Sequence, residues 1–341
     1  MSRLRVLSLL SIVVLAAACA GPAATPTATP AITPTPDPRA DWPDQLVLGL
    51  VPSREADVLV ESARPLTDHL TQVLSAAAGK TVTVEGFVPA DYTGLVTAME
   101  TDQADIGAFG PFSLLQARDR AGAEIVLQSV RFGSATYHTQ WFTNDPDTYC
   151  LDEVVADEDG WLYCNGTLDA AQGPAGENGI ALIQPGTTVA FVEQSSTSGY
   201  IFPAVQLINL TDVEDPIADL NAIMAGGHDN AVLAVYNGDA VVGVSFDDAR
   251  GGAAFEELPE NPENVVVFAY SAEIPNDGWA IRSELPQELK DAIVQALLDY
   301  AASDAGQQVL GDIYNIDDLV PADLAAFDVV EQAADELGIE E

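Results

Sequence analysis

Positive charge is scarce in this sequence: 12 Lys and Arg stand against 53 Asp and Glu in 341 residues, a formal net charge of −41. A surface of that sign repels phosphate backbones and anionic headgroups, so neither nucleic acid nor a lipid surface held by charge is an expected partner. Histidine is scarce as well. His69, His138 and His228 are too dispersed along the chain to argue for a metal centre, and none is expected. No apolar run reaches the roughly 18 residues that a membrane-spanning helix needs. Catalytic signatures are missing too: there is no H-E-x-x-H, Walker A, G-x-G-x-x-G or G-x-S-x-G sequence. Ser, His and Asp all occur, but without a strained elbow for a nucleophile an acyl-transfer enzyme is disfavoured. The chain is expected not to be an enzyme, and no cofactor is expected.

Cysteine is also sparse, with three in the chain. The apolar run from Val6 to Ala18, broken only by Ser8 and Ser11, follows the basic residues Arg3 and Arg5 and has the layout of a signal peptide. Leu15-Ala16-Ala17-Ala18-Cys19 reads as a lipobox, with its Leu one position earlier than usual; a plain secretory signal cleaved near the same alanines is the alternative. Both imply export, and the first anchors the mature chain to the cell membrane through a lipid on Cys19. Cys150 and Cys164 have 13 residues between them, no C-x-x-C spacing and no companions for a metal. In an oxidising compartment a disulfide is expected.

Apolar residues, by contrast, are plentiful at 48%, enough for a sizeable core in two ordinary domains or one split one. Residues 20–45 are rich in Pro and Thr, read as an extended tether, and place no residue to make a core. From residue 46 onward apolar runs of strand length alternate with amphipathic stretches. Strands are expected at 46–52, 81–87, 104–109 and 124–130, with helices at 55–77, 91–101 and 111–120; Pro65 should kink or split the first helix. Further on, strands are expected at 137–143, 188–193, 240–246, 265–270 and 279–282. Helices are expected at 199–210, 218–225, 228–236 and 286–302, and the tail 303–337 reads as largely helical. Residues 145–186 are rich in Gly, Asp, Pro and Asn and read as a surface insertion carrying the disulfide. Repeated βα units predict an α/β fold with mainly parallel sheets flanked by helices.

One segment stands out chemically. Phe191-Val192-Glu193 ends an apolar strand and runs into Gln194-Ser195-Ser196-Thr197-Ser198-Gly199-Tyr200, which opens a helix. A helix N-terminus carries unpaired N–H groups and partial positive charge. Four consecutive hydroxyls beside those amides make an anion cradle, with Gly199 allowing close backbone approach. A helix over-supplied with capping residues is the alternative. The cradle needs no basic side chain, and its own stretch has none. Tyr137, His228 and Asp277 gain meaning beside it, although singly they read as a core tyrosine, a helix cap and a turn residue.

The order and spacing of several motifs resemble the phosphonate-binding family of ABC-transporter solute-binding proteins, related to type II periplasmic binding proteins. They are Asp91-Tyr92, Ala104-Asp105-Ile106-Gly107-Ala108-Phe109-Gly110-Pro111-Phe112-Ser113, the hydroxyl cluster, Gly227-His228-Asp229-Asn230-Ala231 and Ile274-Pro275-Asn276-Asp277-Gly278-Trp279. The resemblance covers about residues 46–300. It implies two lobes joined by two hinge crossovers, 46–135 with 271–341 forming one and 136–270 the other. It implies that Ser196, Thr197 and Ser198 hold a phosphorus oxyanion (phosphonate, phosphite or phosphate), with Tyr92, Tyr137, His228, Asp277 and Asp247 contributing around the cleft. An ABC permease is then the expected partner of a monomeric, extracytoplasmic receptor. A lobe that feeds a sensor kinase, or a binder of another small anion such as a sulfonate, are the alternatives. The long insertion, the acidic surface and the near absence of lysine depart from the family pattern without removing a proposed ligand contact.

Overall fold

Apolar runs too continuous for a half-exposed strand become the centres of two sheets. The computed structural model describes residues 38–164, 166–168, 174–251 and 264–339. The leader, Cys19 and the tether up to residue 37 lie outside these. The last residues of the expected tether pack on the body: Trp42 is buried, and its carbonyl accepts from Lys80 Nζ at 2.6 Å. An indole of that size is worth burying wherever the chain lets it reach the core, so the folded part starts a few residues earlier than the composition suggested.

The first sheet holds β1 (Gln45–Leu50), β2 (Thr83–Phe87), β3 (Ile106–Phe109), β4 (Glu124–Val130), β14 (Gly278–Ile281) and β15 (Asp318–Pro321), in the order β15-β4-β14-β3-β1-β2. β1, β2 and β3 run parallel, whereas β14 and β15 pair antiparallel. Helices α1 (Ala56–Ala78), α2 (Tyr92–Glu100) and α3 (Pro111–Ala121) connect its strands. α1 runs through Pro65 as one helix, with Leu59, Ala63, Leu66, Leu70 and Leu74 buried along a single stripe. That stripe holds both sides of the proline to the same core.

The second sheet has seven strands in the order β10-β9-β11-β6-β12-β8-β7. They are β6 (Thr139–Thr143), β7 (Val154–Ala156), β8 (Leu162–Cys164), β9 (Thr188–Phe191), β10 (Asn221–Met224), β11 (Val242–Phe246) and β12 (Val266–Tyr270). The helices α4 (Pro146–Tyr149), α5 (Glu177–Ile180), α6 (Phe202–Leu210) and α7 (His228–Tyr236) belong with it. β6 lies antiparallel between β11 and β12. The two-lobed α/β expectation holds, and within it the sheets are mixed. The reason is the double crossover, which brings β6 and β14 into their sheets against the direction of the βα units.

Two elements differ from the periodicity. The expected helix at 218–225 is a turn followed by strand β10, which pairs parallel with the edge of β9. A four-residue apolar run is ambiguous by itself, and the open sheet edge decides it. Strand β15 likewise interrupts the expected helical tail between helices Asp304–Tyr314 and Asp328–Leu337. Part of the 145–186 stretch adds to the sheet rather than looping off it, because the β7–β8 hairpin extends the β12 edge. Cys150 and Cys164 are bonded, with Cα atoms 5.3 Å apart.

The chain passes between the sheets at 131–138 and 271–277. There β5 (Thr136–Tyr137) and β13 (Ile274–Pro275) pair antiparallel. Helix Asp328–Leu337 packs on α3 and on α6. Its Glu331 pairs with Arg118 of α3 at 2.7 Å, and its Glu336 accepts from Asn209 of α6 at 2.7 Å.

Candidate ligand-binding site

Between the sheets lies a cavity of about 330 Å³, and its lining includes Tyr92, Tyr137, Ser196, Thr197, Ser198, His228, Asp247 and Asp277. All eight candidate residues therefore meet in one place, although they are spread along the chain from Tyr92 to Asp277. Tyr92 opens α2, Asp277 precedes β14, Tyr137 lies in the first crossover, and the others belong to the second lobe.

The hydroxyl run is local in origin. After β9 the chain turns, and Ser196 caps a wide π turn at Thr197–Ile201 that leads into α6. Its Oγ accepts from the Gly199 N–H at 3.1 Å. A Cβ on Gly199 would collide with Val192 and with Ser196 Oγ. Gly199 thus lets the turn pack against its own strand, a more specific need than close approach to a ligand. Ser196, Thr197 and Ser198 are all nearly fully buried.

Contacts from the first lobe close over this turn. The Phe112 N–H, at the start of α3, donates to Thr197 Oγ1 at 2.8 Å. Thr93 and Ser195 share a hydroxyl pair at 3.0 Å, and the Tyr92 N–H donates to Glu193 Oε2 at 3.4 Å. Tyr92 Oη lies 3.3 Å from His228 Nε2, and His228 Nδ1 lies 2.8 Å from Ser245 Oγ. A hydroxyl oxygen that accepts from an amide keeps its own proton for donation. Thr197 and Ser196 are in that position, and Thr197, like Ser198, hydrogen-bonds with the phenol of Tyr137.

The electrostatics keep the rings neutral. Burial, reinforced by Glu193 and Asp277, pushes the Tyr92 phenol well above its ordinary range. Burial and Asp277 do the same to Tyr137, opposed by hydrogen bonds with Ser198 and Thr197. His228 is pushed down to about 3, by burial first and then by Arg54 and Arg131. It is therefore an uncharged partner at neutral pH. Asp247 is pushed up to about 7 by burial and by its neighbour Asp248.

Arg54 and Arg131 also line the cavity, as does Tyr314. The hydroxyl stretch does lack basic side chains, but the cavity does not, because distant segments supply them. Arg131 Nη2 donates to Asp277 Oδ2 at 2.5 Å, and Nε donates to the Tyr314 carbonyl at 2.7 Å. Sequence reasoning passed over Arg131 although it stands beside Tyr137 in the same crossover motif. Nothing local in the sequence marks Arg54. The lining also includes the acidic residues Asp247, Asp248 and Glu273 and the aromatic ring of Phe246. Among the described residues no group of three or more His, Cys, Asp or Glu could hold a metal ion, and no helix is long and apolar enough to cross a membrane.

A family model described as "ABC transporter, phosphonate, periplasmic substrate-binding protein" matches residues 48–327. The chain belongs to this family. Phosphonate-family binding proteins are transporter components located outside the cytoplasm, not enzymes. Two curated relatives are the phosphate-import protein PhnD of Mycolicibacterium smegmatis and the phosphonates-binding periplasmic protein of Escherichia coli. The first is 27% identical over 202 residues, covering 57% of this chain and 52% of the relative. The second is 24% identical over 231 residues, covering 67% and 60%. The aligned part thus spans little more than half of either relative's length. Among solved structures, PhnD1 of Prochlorococcus marinus in complex with methylphosphonate matches with a TM-score of 0.68 at 18% identity, covering 89% of this chain and 99% of that one. That match supports the type II periplasmic-binding-protein fold of this phosphonate-family chain.

Proposed function

We propose that this chain is an exported, lipid-anchored receptor that captures a phosphorus oxyanion and delivers it to an ABC permease. The ligand class is phosphonate, phosphite or phosphate. One observation carries the reading: buried hydroxyls at the start of a helix on one lobe face Tyr92 and Asp277 of the other across a single cavity. In this reading Ser196, Thr197 and Ser198 donate to the oxyanion, joined by Tyr92, Tyr137 and the neutral His228. Asp277, already held by Arg131, accepts a hydrogen bond from a protonated ligand oxygen. Asp247 lines the cavity together with Asp248 and Glu273, where it would favour an amine-bearing substituent. The names of the relatives, phosphate import in one and phosphonate binding in the other, fall in the same ligand class.

The lobes would be 46–135 with 271–341, and 136–270, closing about the crossovers at 131–138 and 271–277. A ligand that touches both sides stabilises closure in proportion to that difference in contact. Cys19 would carry the lipid, and residues 20–37 would tether the body to the membrane.

Calorimetry against phosphate, phosphite, methylphosphonate, 2-aminoethylphosphonate and methanesulfonate tests the ligand class. At least one phosphorus oxyanion should bind and methanesulfonate should not. The double variant Thr197→Ala with Ser198→Ala should weaken that binding by roughly a hundredfold, since each hydroxyl lost is a hydrogen bond to a charged group. Unchanged affinity in the double variant would remove the hydroxyl run from the site.

A further inference from the structure

Asp247 and Asp248 are neighbours in the chain and both line the cavity, but their surroundings differ. Asp248 is gripped by Arg250. Nε lies 3.1 and 3.0 Å from its two carboxylate oxygens, Nη2 lies 2.7 Å from Oδ2, and the Arg250 amide donates to Oδ1 at 2.8 Å. Arg250 is itself fully buried. Its Nη1 donates to the carbonyls of Leu162 at 2.8 Å and Val265 at 3.1 Å. Its guanidinium lies 5.0 Å from the ring centre of Trp161 and 4.5 Å from that of Tyr163. Leu162 and Tyr163 belong to β8, whose last residue, Cys164, is joined to Cys150. The disulfide-bearing hairpin is therefore the socket in which Arg250 sits.

Asp247 has neutral hydrogen-bond partners instead. Gln140 Nε2 donates to its Oδ1 at 3.2 Å, and its own N–H donates to the His138 carbonyl at 3.2 Å. The titratable and charged groups that face it are Asp248 and Arg250 on its own segment, Tyr163 from β8 and Tyr270 from β12. His138 and Glu273 line the same cavity from the crossovers. A guanidinium stays charged at every relevant pH and fits a carboxylate in a fixed fork, so Asp248 is permanently engaged.

We propose that Arg250 is a positioning residue for ligand selection. Seated in the disulfide-bearing hairpin, it engages Asp248, so that of the two carboxyls Asp247 is left to read the substituent on the ligand's phosphorus and favours one bearing an ammonium group. This rests on the phosphorus-oxyanion reading of the site. The hairpin thereby gains a function: it fixes, from behind, which carboxyl the ligand meets.

The test compares ethylphosphonate with 2-aminoethylphosphonate by calorimetry on the mature chain, from about pH 6 to about pH 8. The ammonium group also makes the phosphonate of 2-aminoethylphosphonate ionise at lower pH than that of ethylphosphonate, so each affinity is first corrected for its ligand's own titration. That correction is the same for every variant, and the differences between variants isolate the carboxyl. In the wild type the corrected ratio should rise by on the order of tenfold as Asp247 ionises. In Arg250→Met an uncompensated Asp248 should move the midpoint of that rise up by about one pH unit, and in Asp248→Asn it should move down. A loss of affinity shared equally by both ligands, with ratio and midpoint unmoved, would overturn the proposal and leave Arg250 a packing residue. If Arg250→Met does not fold, Asp248→Asn decides alone: a lowered midpoint supports the proposal and an unmoved one overturns it. Failure of both ligands to bind the wild type would overturn this proposal alone; the oxyanion reading falls only if phosphate, phosphite and methylphosphonate fail to bind as well.

Discussion

Tyr92, Tyr137 and His228 share one physical situation: each is a polar ring taken out of water and held neutral by the loss of hydration. Neutral donors suit the proposed anion site of an acidic protein, because they add hydrogen bonds without drawing in Asp and Glu side chains. Glu193 shows the same force acting on a carboxyl. Burial raises it to about 7, outweighing the hydrogen bonds from the Tyr92 and Ser195 amides that pull the other way. A carboxyl whose folded value is raised binds its proton more tightly folded than unfolded, so its contribution to stability falls as pH rises from about 4.5 to about 7. Glu193→Gln removes that slope. In urea unfolding the variant should match the wild type near about pH 5 and exceed it near about pH 8 by roughly 2 kcal/mol. The same difference at both pH values would mean that Glu193 does not titrate across this window. At this scale the hydroxyl run was legible because it is contiguous, and Tyr92, His228 and Asp277 because their motifs resemble those of a known family. Arg54, Arg131 and Arg250 were not, since an arginine's meaning lies in its partner. Asp277 is 146 positions from Arg131.

Elements carry the site through their ends rather than their faces. α2 presents Tyr92 and α3 presents the Phe112 amide, while the π turn before α6 presents three hydroxyls. The position of that turn depends on Gly199, where even one methyl group would overlap Val192 and Ser196 Oγ. Gly199→Ala should cost about 1–3 kcal/mol by overpacking and should weaken ligand binding as the turn shifts. Thermal unfolding and calorimetry on the same variant read both effects. Full stability with reduced affinity would place the role of Gly199 in the ligand contact instead. Most strands were readable from continuous apolar runs, since strands buried on both faces have no alternation to hide them. β10 and β15 escaped because a four-residue strand is defined by the edge it joins, which the sequence does not display. The sense of β6 and β14 escaped for a related reason: direction is set by where the crossovers return the chain.

At the scale of the whole molecule the proposed capture of an anion must work against a net charge of −41. The two act over different ranges. In the proposed site, hydrogen bonds from Ser196, Thr197 and Ser198 would act at contact, and Arg131 is already paired with Asp277, so it projects little field outward. The net charge acts on a ligand still approaching, over roughly a Debye length, which shortens from about 30 Å at 0.01 M salt to about 8 Å at 0.15 M. An anionic ligand is therefore repelled at long range and held at short range. Its association rate should rise with salt, by roughly two- to fivefold between those ionic strengths, whereas dissociation from the closed cavity should change little. That is the reverse of an electrostatically steered receptor, whose association slows as salt is added. Stopped-flow binding of a dianionic phosphonate at several NaCl concentrations separates the two rates. An association rate that falls with salt would show that Arg54 and the helix ends dominate the field at the mouth, and that the acidic exterior does not govern the ligand's approach.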